Sequence, residues 1–172
     1  FSIFFIKNLF ISIILERNDP MKSAKQVQII RQALLLRGKN QYTQSSLRLL
    51  VDQGYSDCSS FVWWLYLSTL KIDIGMDTPE QILSLKGLDV DFGGQETPDI
   101  SLLNPGDLLF FEGTDTSRPF HVGHVELYLG HGKLIGHNDN GLPGPTVKTL
   151  DSFCRERAGA KRPYIKTRRF LF

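Results

Sequence analysis

Asp57-Cys58-Ser59-Ser60-Phe61-Val62-Trp63-Trp64-Leu65-Tyr66-Leu67 is the stretch that sets the architecture. An apolar run of this length behind Asp, a favoured N-cap residue, predicts a buried helix from Cys58 to about Leu70, with Gly54-Tyr55-Ser56 as the loop that delivers the chain to it. Cys58 then sits in the first turn, where unpaired N–H groups and the helix dipole favour a thiolate, the form of Cys that attacks carbonyls. A Cys at the head of an apolar helix is by itself more commonly a small core residue. The cap, the loop and a set of imidazoles downstream move the reading to a nucleophile with a base. Trp63, Trp64 and Leu67 are expected in the core.

Upstream, Val27, Ile30 and Leu34 recur at helical spacing and Gly38 ends the helix. Lys39 to Ser46 is polar and reads as a loop, followed by a short helical turn from Leu47 to Val51. Downstream, Thr78 is expected as the N-cap of a short helix with Pro79 at its first position. Gly87 to Ser101, rich in Gly, Asp and Pro, reads as a long loop of the kind that borders clefts. The second half changes period, with strands at Leu108–Phe111, His124–Leu129, Lys133–His137 and Thr146–Leu150. Helices first and then a largely antiparallel sheet make an α+β chain. Lys161 to Arg169 is expected as a solvated edge strand.

The chain has 172 residues and a net charge of +2. That length predicts a single domain over residues 21–172, with a core that needs no disulfide or metal, and the charge is too mild to argue for nucleic acid. Two cysteines allow at most one bridge, which would consume the nucleophile, so Cys58 is expected free and Cys154 is read as packing. Residues 1–20 form an apolar island split by Lys7-Asn8, with stretches shorter than the ~20 residues that cross a bilayer and no basic n-region or cleavage site. They read as an apolar leader, either upstream translation or a truncated segment, since Met21-Lys-Ser-Ala-Lys looks like a natural start; a remnant membrane anchor is the alternative. No stable membrane association is expected for residues 21–172.

Strand alternation puts His124, Glu126 and Tyr128 on one face and Val125, Leu127 and Leu129 on the other. The turn Gly130-His131-Gly132 then brings His137, Asn138 or Asp139 across the hairpin from His124, and each can hydrogen-bond an imidazole. A zinc site at His121 and His124 is disfavoured, because residues three apart on a strand point to opposite faces and no Cys completes a set.

Three blocks in order carry a family resemblance: Asp57-Cys58-Ser59-Ser60; Asn104-Pro105-Gly106-Asp107-Leu108-Leu109-Phe110-Phe111; and His124-Val125-Glu126-Leu127-Tyr128-Leu129-Gly130 followed by Gly132-Lys133-Leu134-Ile135. From about Val27 to the C-terminus the chain resembles the NlpC family of papain-like bacterial cell-wall cysteine peptidases. The resemblance implies a papain-like α+β fold in which N-terminal helices, including the nucleophile helix, pack on an antiparallel β-sheet. It implies hydrolysis of peptidoglycan stem peptides, typically between the γ-carboxyl of D-glutamate and a diamino acid, in an extracellular or wall-associated setting, secreted or phage-delivered. Cys58 matches the nucleophile, His124 the base and His137 the third polar residue that orients it. Asp57 and Ser59 match the pocket for the stem peptide's amino end, and Tyr42 resembles a Tyr of that pocket, although the Gly-Gly that often follows it is absent. Glu126 replaces a small residue two positions after the base, where it is expected to raise the imidazole's pKa, contact a substrate amine or reach solvent. No metal or organic cofactor is required. The alternatives are an amidase or cross-bridge peptidase on the same fold, or a non-catalytic phage-tail or wall-binding module.

Overall fold

Ser23 opens the first helix, α1 (Ala24–Leu35), through a capping box in which its hydroxyl accepts from the Gln26 N–H and the Gln26 side chain accepts from its own N–H. The computed structural model describes residues 23–138 and 141–172, so the expectations for residues 1–20 and for Asp139 lie outside the described residues. β1 (Gln41–Tyr42) and β2 (Tyr55–Ser56) pair in parallel around two 3-10 turns, Ser46–Leu49 and Val51–Gln53. Then come α2 (Cys58–Leu70), α3 (Thr78–Leu83), β3 (Leu88–Asp91), β4 (Leu108–Glu112), β5 (Val122–Gly130), β6 (Lys133–Gly136), β7 (Thr146–Thr149), α4 (Leu150–Gly159) and β8 (Tyr164–Arg169).

β3 to β8 form one sheet in the order β3-β8-β4-β5-β6-β7, with every neighbouring pair antiparallel. Its two faces are both apolar and carry separate cores. Ile29 and Ile30 of α1 and Phe61, Val62 and Leu65 of α2 pack against Phe110, Val125, Leu127 and Ile135. On the other face Leu109, Phe111 and Leu134 meet Leu150, Phe153 and Cys154 of α4. α2 is therefore pressed on the sheet along its apolar length, and its first residue, Cys58, belongs to the core it shares with Val125. The Cys58 helix packed on an antiparallel sheet is the arrangement expected.

Three expectations need correction. β8 is an interior strand, not an edge, because β3 forms inside the expected Gly87–Ser101 loop and pairs with it. The basic tail is consequently spent within the fold: the buried Arg168 guanidinium donates to the carbonyls of Gln81, Ile82 and Gly87 and pairs with Asp89 at 3.0 Å. Asp77, not Thr78, caps α3, its carboxylate accepting from the Glu80 N–H at 2.9 Å. Trp63, Trp64 and Leu67 are half-buried instead of fully in the core.

Candidate active site

The start of α2 is fixed by a dense set of local bonds. Asp57 is extended (φ −111, ψ −172), and its Oδ1 accepts from the Ser60 N–H at 2.7 Å and the Ser59 hydroxyl at 3.0 Å. The Ser60 hydroxyl accepts in turn from the Asp57 N–H at 2.9 Å, closing a capping box. The second carboxylate oxygen faces Arg48, 3.3 Å away, whose guanidinium also lies 3.4 Å from the Ser59 hydroxyl and donates to the Met76 carbonyl at 2.9 Å. Asp57 and Ser59 are thus brought together as expected. Arg48 was not anticipated; its trace in the sequence is a cation in a short turn nine positions ahead of Asp57, which no local pattern distinguishes from a solvated one.

Cys58 is buried and free, as is Cys154. Burial, and after it the Asp57 charge, push the Cys58 thiol up to about 12, and the backbone amides of Val125 and Ser59 pull the other way without overcoming them. The helix start does favour the thiolate, but desolvation decides, and the resting group is a neutral thiol. Val125, whose amide faces this sulfur electrostatically, is the residue after His124.

His124 is aimed by a β-bulge. Phe111 pairs with His124 and Glu112 with Val122, so Gly123 has no partner across β4. A Cβ at Gly123 would lie 2.4 Å from the Gly113 Cα, so the two strands come this close only without side chains. The His124 ring rests between Phe111 and Phe153, with centroids 6.2 and 5.7 Å away, and its Nε2 is 2.7 Å from Glu126 Oε1. Glu126 is fully buried, and the same oxygen accepts from Lys148 Nζ at 2.7 Å. Burial pushes the Glu126 carboxyl up, but Lys148 and His124 together outweigh it and hold it below its ordinary value. Burial also lowers His124, an effect that Glu126 only partly opposes.

His137 does not pair with His124. The β5–β6 register sets Leu127 against Ile135, and one residue further on Glu126 lies opposite Gly136, which leaves His137 on the Ile135 side of the strand. Its fully buried ring stands edge-on to Tyr42, with centroids 5.2 Å apart, and faces the backbone of Asn40 and Asn138. Burial lowers its imidazole too. Tyr42 pairs with Ser56, next to Asp57, and its hydroxyl accepts from the Gln44 side chain at 2.9 Å. A cavity of about 650 Å³ opens there, lined by Lys39, Gln41, Tyr42, Tyr55, Leu142 and Pro143 among others. Among the described residues no group of three His, Cys, Asp or Glu side chains is placed to hold a metal ion.

The chain is similar to known proteins in sequence and in fold. The model of the NlpC/P60 family matches residues 38–155, more than half of the chain. Peptidoglycan DL-endopeptidase CwlO of Bacillus licheniformis is 33% identical over 102 residues, which cover 59% of this chain and 19% of that protein. Among solved structures, the NlpC/p60 domain of the peptidoglycan hydrolase SagA has a TM-score of 0.53 at 24% identity, covering 83% of this chain and 96% of that one. The peptidoglycan hydrolase RipB of Mycobacterium tuberculosis has a TM-score of 0.59 at 19% identity, covering 98% and 78%. NlpC2 of Trichomonas vaginalis has a TM-score of 0.60 at 21% identity, covering 88% and 49%. The chain spans about a fifth of the length of the first of these relatives and about half of the last. The fold is the papain-like one of NlpC/P60 domains.

Proposed function

The chain belongs to the NlpC/P60 family, and from that premise we propose that it is a cysteine endopeptidase of peptidoglycan that cuts stem peptides between the γ-carboxyl of D-glutamate and the following diamino acid. The observation that carries the reading is Cys58 in the first turn of a helix pressed on β5, beside the residue that follows a buried, carboxylate-bound His124. The relationship to a peptidoglycan DL-endopeptidase supports the bond. In this mechanism the substrate carbonyl enters the cleft, His124, whose ring rests on the other face of β5 from Cys58, turns to take the thiol proton, and the sulfur adds to the carbonyl carbon. Backbone N–H groups at the start of α2 meet the oxyanion, each such donor being worth about 3 kcal/mol in related chemistry. The imidazolium then protonates the leaving amine, and a water deprotonated by His124 releases the thioester. Asp57, Ser59 and Tyr42 line the side of the cleft where the stem peptide's amino end binds, with Arg48 fixing the carboxylate. The working location that follows is extracellular or wall-associated; among the described residues no helix is long and apolar enough to cross a membrane.

Mass spectrometry of products from peptidoglycan and defined muropeptides, with Cys58→Ala alongside, tests this. Fragments ending in D-glutamate that are absent with the variant support it. Whole stem peptides would move the cut to the amide that joins glycan to peptide, and no Cys58-dependent product on any wall type would leave a binding module.

A further inference from the structure

We propose that the substrate of this site is a stem peptide whose amino end is still acylated by the glycan, with Arg48 excluding a free amine and the cavity beside Tyr42 receiving the sugar. This rests on the reading of the cleft as one that cuts stem peptides, and it names the class of stem that is taken. A free amino end is an ammonium at neutral pH, and the carboxylate that would bind it is Asp57. Both oxygens of that carboxylate are already engaged. Oδ1 accepts from the Ser60 N–H at 2.7 Å and the Ser59 hydroxyl at 3.0 Å, and Oδ2 pairs with the Arg48 guanidinium at 3.3 Å. The pair is sheltered, with 10% of the Asp57 side chain and 21% of the Arg48 side chain exposed, so its field is only partly screened. An ammonium entering here meets a cation where it needs an anion, and the Ser59 oxygen lies 3.4 Å from the same Nη1. An amide carbonyl meets the opposite situation. Among the described residues the hydrogen bonds of Arg48 leave from Nη1, to Asp57, Ser59 and the Met76 carbonyl, so Nε and Nη2 keep their hydrogens for an acceptor.

The cavity supplies the room that such an acyl group needs. Tyr55 and Ser56 of β2 lead directly into Asp57, and Tyr42 pairs with Ser56, so the wall made by Tyr42 and Tyr55 stands about 7 Å along the chain from Asp57. The volume of about 650 Å³ is that of sites enclosing small molecules, far more than the one small residue at the end of a peptide occupies. The two tyrosine rings offer flat apolar faces, and the side chains of Lys39, Gln41 and Gln53 offer hydrogen-bonding groups, a combination suited to a sugar ring bearing hydroxyl and acetamido groups. Lys39 is also a second cation on this side of the cleft, again the wrong sign for an ammonium. In intact peptidoglycan the amino nitrogen of the stem is an amide of the lactyl ether on the glycan. It carries no charge, its carbonyl is an acceptor for Arg48, and a sugar follows within a few bonds. Charge at Asp57 and room beside Tyr42 thus select the same substrate independently.

The test compares three substrates with the same stem on the unaltered whole chain: the disaccharide peptide, the peptide with its amino end acetylated, and the peptide with that end free. kcat/KM is expected to fall in that order, by about 100-fold from first to last at pH 7. Equal values for the first and last, or a higher value for the free peptide, overturn the proposal without any variant. Arg48→Gln is expected to shrink the ratio to less than about tenfold, because Asp57 is then open to the ammonium. A ratio unmoved by Arg48→Gln overturns the role of the guanidinium. Tyr55→Ala is expected to lower kcat/KM for the disaccharide peptide alone, and an equal loss on all three substrates overturns the assignment of the cavity. If no stem is cut in a Cys58-dependent manner, the reading of the cleft as a peptidase fails. Calorimetric binding of the disaccharide peptide and of the free peptide to Cys58→Ala still reports the preference, and equal affinity for the two overturns the proposal by itself.

Discussion

The Cys58 thiol is the residue on which two familiar effects compete. At a helix N-terminus the amides and the dipole lower a thiol, and the Ser59 and Val125 amides do so here. Burial and the Asp57 carboxylate raise it more, to about 12. The thiol therefore rests neutral and needs a base at the moment of attack, unlike a resting thiolate–imidazolium pair. Alkylation by iodoacetamide, followed by peptide mass mapping to separate Cys58 from Cys154, is expected to be slow at neutral pH and to climb steadily with pH through 9, since only the thiolate reacts. Asp57→Asn, which keeps a good N-cap, is expected to shift that curve to lower pH. A rate already level from pH 6 upward would mean a preformed ion pair. The position of Cys58 was legible because a cap and an apolar run are local signals. Its protonation state was not, because the groups that set it include residues from β5 and the depth of the cleft. Glu126 falls between: its face was legible from alternation, and its partner Lys148 was not.

At the level of the elements, period and turn chemistry located α1, α2, β4, β5, β6 and β7, and tertiary pairing decided what they missed. β3 is four residues inside a Gly- and Asp-rich stretch, and it is a strand only because β8 lies beside it. β8 in turn reads as a basic edge from its composition, yet Arg168 points into the fold and binds three carbonyls. Arg168→Met is expected to cost about 3 kcal/mol, because it leaves those carbonyls unmet and Asp89 with Lys166 alone. Urea unfolding would read it, and a loss below about 1 kcal/mol would show the site to be solvated. His137 misses the face of His124 by the smallest step a strand allows. One residue of register exchanges the faces of β6, so the turn that was read correctly still left the partner undetermined.

For the whole molecule, the two core clusters on opposite faces of one sheet bring a buried His124–Glu126–Lys148 network to one face and a buried His137 to the other. Both imidazoles titrate lower in the folded chain than in the unfolded one, so the unfolded chain takes up protons first. Their contribution to stability is complete above the ordinary histidine value of 6.5 and is lost as pH falls below it through the folded values, and Glu126, also lowered, extends the loss into the carboxylate range. The melting temperature is expected to hold from pH 8 to 7 and to fall steadily toward pH 5, with a shallower fall in His137→Asn; an unchanged slope in that variant would contradict the assignment. The central claim, a Cys58 nucleophile in a peptidoglycan-cutting cleft, is tested most directly by acid-quenching the chain during turnover of a defined muropeptide and weighing the peptide that carries Cys58. The account predicts that this peptide gains the mass of the acyl half of the substrate, that the gain decays as substrate is consumed, and that Cys58→Ala neither gains it nor turns over. Turnover by Cys58→Ala at the wild-type rate would contradict it.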